Sequence, residues 1–79
     1  MDSERKLKST MAALFSLKPE SVGEETSVHT VEVWDSLNHM NLIASLEETF
    51  KISLSTEEII ECTDYEAIAR VLKRHGVWK

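Results

Sequence analysis

The chain has 79 residues, a net charge of -5, 42% hydrophobic and 29% charged residues, and only two glycines, one proline and one cysteine. A length near the lower limit for a single unstapled core argues against a deep enzyme pocket, and the composition is that of a folded, helix-rich chain rather than a disordered tail. The lone Cys62 excludes an internal disulfide and fits a reducing compartment, so a cytoplasmic location is expected.

Charge is unevenly distributed. Residues 35–66 carry eight acids against the single base Lys51, whereas residues 67–79 carry four bases and no acid. An acidic middle disfavours a nucleic-acid partner and favours a protein partner with a basic patch. A merely solvated surface is the plainer reading of such a run.

Helix I is predicted from about residue 3 to 17, with Asp2 or Ser3 as N-cap and Leu7, Met11, Leu14 and Phe15 on one face. Pro19 follows its end. The basic residues Arg5, Lys6 and Lys8 ahead of Met11–Leu17 superficially resemble a secretory leader, but the run is short and broken by Ser16. No stretch approaches the length of a membrane span. Residues 18–34 form a long connection in which Val28, Val31, Val33 and Trp34 are read as anchors on the core, since no second strand is available to pair with them.

Helix II is predicted from residue 36 to about 50, with Leu37, Met40, Ile43, Ala44, Leu46 and Phe50 recurring every three or four positions. Two capping boxes follow: Ser55 with Glu58 opens a short helix III (about 56–61), and Thr63 with Glu66 opens helix IV (about 64–75). Helix IV turns Ile68, Val71 and Leu72 inward and stops at Gly76 after Lys73, Arg74 and His75. The expected fold is therefore all-α: one domain over residues 1–79, with three main helices, one short one and a long first loop.

Ser36 is the residue of chemical interest, a hydroxyl at the start of a helix. On local features alone Asp35 and Ser36 are ordinary capping residues. The run Trp34-Asp35-Ser36-Leu37-Asn38-His39-Met40, then Leu46-Glu47-Glu48 and Phe50-Lys51-Ile52, resembles the attachment region and second helix of acyl carrier proteins. The order and spacing of the helices extend the likeness over nearly the whole chain. Val33 and Trp34 stand where many fatty-acid-synthesis members have a small pair, and Asn38, His39 and Asn41 make the first turns less acidic than usual. This pattern resembles standalone carriers of specialised pathways.

The resemblance implies that Ser36 receives 4'-phosphopantetheine from coenzyme A through a phosphopantetheinyl transferase. Acyl cargo would ride on the arm as a thioester, and the protein would be a monomer with no catalysis of its own. Loading ligases and acyl-transfer or condensing enzymes would dock on helix II and its neighbours, through Asp35, Leu37, Met40, Glu47, Glu48, Glu57 and Glu58, with Leu37 packed beside the attachment point. A cavity for the acyl chain would draw on Leu46, Phe50, Ile52, Ile59, Ile60, Cys62, Ile68 and Leu72, whose plainer role is core. An aminoacyl or peptidyl carrier, or an unmodified interaction module, are the alternatives.

A hydrolase built on Ser36, His39 and Asp35 is disfavoured by geometry, with His39 read as a solvent-exposed helix residue. His29, His39, His75 and Cys62 lack the spacing of a metal site. Trp78 either folds back on helix I or makes an exposed contact.

Overall fold

A computed structural model describes residues 2–23, 26–27 and 29–79, and its described residues form four α-helices: α1 (Asp2–Phe15), α2 (Ser36–Phe50), α3 (Thr56–Glu61) and α4 (Tyr65–Arg74). A short 3-10 turn, Pro19–Ser21, interrupts the long connection after α1. The all-α bundle expected from the periodicity is present.

The core comes from three helices and the connection. Leu7, Met11, Ala12 and Phe15 of α1 meet Leu42, Ile43, Leu46 and Phe50 of α2 and Tyr65, Ile68, Val71 and Leu72 of α4. Val22, Val31 and Trp34 join them from the connection, while Val28 lies outside the described residues. Val33, expected as an anchor, is 47% exposed. The turn Trp34 N–H to Val31 carbonyl points the larger ring inward, leaving its neighbour outside.

In α2 the inward face contains Leu42 and not Leu37, Met40 or Ala44, all of which are exposed. The expected stripe mixed two faces. Positions 39, 43, 46 and 50 fall together at 100° per residue, and 37, 40, 44 and 48 lie opposite.

Helix ends follow from local chemistry. Beyond α1, Ser16 takes a left-handed φ of 57° and the Leu17 N–H closes back on the Ala12 carbonyl at 2.8 Å. Lys51 does the same after α2, with the Ile52 N–H on the Glu47 carbonyl. The Ser55–Glu58 capping box is present. The second one is not: Asp64, rather than Thr63, caps α4 by accepting from the Ala67 N–H at 2.7 Å. Tertiary pairing decides this, because the Tyr65 N–H donates to the Thr26 carbonyl and Asp64 bridges to Ser27, which holds the chain extended through Asp64.

Ser3 is no N-cap either. It is buried within α1, donates its hydroxyl to the Val77 carbonyl at 2.8 Å and accepts from the Lys79 N–H at 2.7 Å. The C-terminal tail is thereby tied to the start of α1. Trp78 folds back with it, half-buried in a cleft between α1 and α4, with Lys73 Nζ 5.8 Å from its ring centre.

Candidate functional site

Ser36 is the first residue of α2 and is exposed. The preceding chain is held extended by Asp35, whose carboxylate accepts from the Asn38 N–H at 2.9 Å and whose carbonyl accepts from the His39 N–H at 2.8 Å. Asn38 also donates its side-chain amide to the Val33 carbonyl at 2.6 Å. The serine is thus presented on a backbone fixed from both sides. The N–H groups of Ser36 and Leu37 lie in the first turn of α2, where no intrahelical acceptor precedes them.

Behind Ser36 the structure joins Phe15 and Trp34, both expected to pack on the core, to His39, which sequence reasoning misjudged. Phe15 and Trp34 stack with ring centres 4.9 Å apart, and the His39 ring lies 6.3 Å beyond Trp34 at an angle of 24°. The Trp34 indole N–H donates to His39 Nδ1 at 3.1 Å, and His39 Nε2 lies 2.7 Å from the Ile59 carbonyl. An indole only donates and a carbonyl only accepts, so the neutral ring carries its proton on Nε2. His39 is therefore a half-buried strut between the connection, α2 and α3, not a solvated helix residue. Both its nitrogens are occupied, so it is not a base for Ser36. The one available signal was the pairing of a Trp with a His five residues on.

Beside Ser36 an open cleft of about 440 Å³ is lined by Trp34, Asp35, Ser36, His39, Ile60 and Thr63. Ile60, expected in the core, is 68% exposed and forms part of this wall. With its neighbour Ile59 facing the core from a helix of only six residues, Ile60 has to point outward. Leu46, Phe50, Cys62, Ile68 and Leu72 are gathered in the core, with Ile52 and Ile59 packed against it. Cys62 is fully buried; its burial, with Glu61 and Glu58 nearby, pushes the thiol up to about 11, which makes it a poor nucleophile.

The expected docking residues separate into two groups. Leu37 (72% exposed) and Met40 (53%) stand clear on the outer face of α2 with exposed Glu48. Glu57 is exposed on α3. Other acids are engaged internally. Glu47 accepts from the Leu54 N–H at 2.9 Å. Glu58 receives the Ser55 N–H at 3.1 Å and lies 3.0 Å from His75 Nε2, contacts that hold its carboxyl below the ordinary value. Glu61 pairs with Arg74 at 3.1 Å, which lowers its own carboxyl. Among the described residues no group of three His, Cys, Asp or Glu side chains is placed to hold a metal ion, and no helix is long and apolar enough to cross a membrane.

This geometry suits a covalently held phosphodiester. An exposed hydroxyl sits at the positive end of a 15-residue helix, where unpaired N–H groups stabilise an anion. The comparisons with known proteins agree with it. The family model for the phosphopantetheine attachment site matches residues 5–72, a stretch that contains Ser36. The chain is also 32% identical over 72 residues, 91% of its length, to the non-reducing polyketide synthase pigA of Monascus ruber. It spans only 3% of the length of that curated relative. The chain belongs to the phosphopantetheine attachment family, as a carrier domain whose prosthetic group is covalent 4'-phosphopantetheine.

Proposed function

We propose that Ser36 is the attachment residue and that the protein carries acyl intermediates for a lipid or specialised-metabolite pathway, without catalysing a reaction itself. The observation that carries this reading is the exposed Ser36 hydroxyl at the capped start of α2, inside the matched stretch. In the modification, the Ser36 Oγ–phosphorus bond forms as the pyrophosphate bond of coenzyme A breaks. The nucleotide bisphosphate leaves, and the hydroxyl proton passes to a base of the transferase. When bound, the group supplies a terminal thiol for a cargo thioester. The chain's own part is to hold Ser36 still through Asp35 and Asn38, and to stabilise the phosphodiester charge with the first N–H groups of α2. The likeness to a polyketide synthase favours acyl over aminoacyl cargo.

The outer face of α2 and α3, with Leu37, Met40, Glu48 and Glu57, is the proposed docking surface for the transferase and for loading and acyl-transfer or condensing enzymes. Its apolar centre and acidic surround suit brief, salt-sensitive encounters. The test is intact mass after incubation with coenzyme A and a broad-specificity phosphopantetheinyl transferase. The wild type should gain one phosphopantetheinyl group and Ser36→Ala none. A folded wild type that gains nothing, or a Ser36→Ala variant that gains the group, overturns the assignment.

A further inference from the structure

Four groups line up across the Ser36 end of the bundle: the Phe15 ring on α1, the Trp34 ring from the connection, the His39 ring on α2 and the Ile59 carbonyl on α3. Each is joined to the next, by stacking from Phe15 to Trp34, by the indole N–H to His39 Nδ1, and by His39 Nε2–H to the Ile59 carbonyl. Successive inward turns of α2 beyond His39 bring Ile43 and then Leu46, and these belong with Leu42, Ile68 and Leu72 to a core exposed by 2% or less. The cleft beside Ser36 is lined on the near side of this row and reaches none of those core residues.

We infer that His39 is a gate between the attachment site and the bundle interior, so that cargo on the arm stays in the outer cleft and is excluded from the core. The inference rests on the reading that Ser36 carries the arm, and it specifies where that arm's cargo lies. His39 is a positioning residue here. It touches neither the attachment oxygen nor a reacting atom, but cross-links Trp34 to α3. To admit an acyl chain between α2 and α3, the Ile59 carbonyl would have to leave His39, and the buried Trp34 N–H would lose its acceptor if the ring moved with it. Both are unfavourable, because each leaves a partly buried polar group without its partner. The lining left to the cargo is mixed, with Ile60 and Trp34 beside the hydroxyl of Thr63 and the carboxylate of Asp35. A cleft of that kind suits short or oxygen-bearing chains, since a long saturated chain would remain wetted along most of its length.

An octanoyl chain is the stringent probe, because it gains most from entering an apolar core. Wild type, His39→Ala and Trp34→Phe are loaded from octanoyl-coenzyme A by the transferase, and loading is verified by intact mass. Methyl NMR spectra are then compared with the same proteins bearing the unacylated arm. In the wild type, octanoyl should shift the Ile60 and Thr63 methyl signals and leave those of Leu42, Leu46, Ile68 and Leu72 in place. In His39→Ala the core methyl signals should shift on acylation. In Trp34→Phe, which keeps a ring against Phe15 but removes the indole donor and part of the ring's volume, they should shift less than in His39→Ala.

Core methyl shifts in the wild type as large as those of Ile60 overturn the gate. So do folded His39→Ala and Trp34→Phe proteins that respond to acylation as the wild type does. If His39→Ala does not fold, the wild type and Trp34→Phe still decide the outcome. Failure of the wild type to gain any mass is a separate result that removes the attachment reading, and this inference with it.

Discussion

Helices α3 and α4 follow one another in the chain and are held in opposite ways. Helix α4 turns Tyr65, Ala67, Ile68, Ala69, Val71 and Leu72 into the interior, whereas α3 has no buried residue at all. Beyond the partly buried Ile59, what fixes α3 is polar: the His39 strut to the Ile59 carbonyl, Glu58 with His75, and Glu61 with Arg74. Burial of apolar surface is the dominant favourable contribution to folding, while exposed ion pairs contribute about 0–1 kcal/mol each. The difference teaches that α4 belongs to the part that makes the chain fold, and α3 to the part that shapes the surface beside Ser36.

The comparison can be broken most severely from the core side. Leu46→Ala deletes fully buried methyl groups and should cost about 2–5 kcal/mol, read as a lower denaturant midpoint. A loss confined to a few tenths would mean that the core is not what holds the fold. The ionic side is smaller and depends on pH. The Glu58 carboxyl is held down by the Ser55 N–H and by His75, so the native state favours its ionised form. The stabilisation is present above the ordinary carboxylate value of 4.5 and is lost as pH falls through the lowered native value. Glu58→Gln should therefore lower Tm at neutral pH, and the gap to the wild type should close on acidification. A gap that stays constant or widens toward low pH would show that Glu58 does not hold α3 by its charge. The smallest effect belongs to the exposed side of α3: Ile60→Ala should change stability by no more than about 0.5 kcal/mol. A larger loss in a denaturant titration would place Ile60 in the core after all.

Much of the architecture was legible in the residues. Amphipathic spacing marks α1, α2 and α4, and the Ser55–Glu58 pair marks the start of α3, because these signals act within one turn of helix. Asp35 with Ser36 announces a helix start in the same way. What was misread lies where one segment meets another. Leu37, Met40 and Ala44 are apolar but face outward, Ile60 points away from the core, and Ser3 serves the C-terminal tail instead of its own helix. Glu47 looks like a free surface acid until the Leu54 N–H is placed against it, and the second partner of Glu58, His75, appears only in the folded chain.

His39 shows the division most clearly. Its sequence neighbours put it on the first turns of α2, three residues after Ser36, and periodicity alone does not say what its two nitrogens meet. The order of helices, the caps of α2 and α3 and the place of Ser36 at the head of α2 are determined by the sequence itself, because they depend on interactions between residues a few positions apart. The row from Phe15 through Trp34 and His39 to Ile59, and with it the wall behind Ser36, was decided only by tertiary structure. Its partners come from four separate stretches of chain, brought together by the burial of a core that none of them specifies alone.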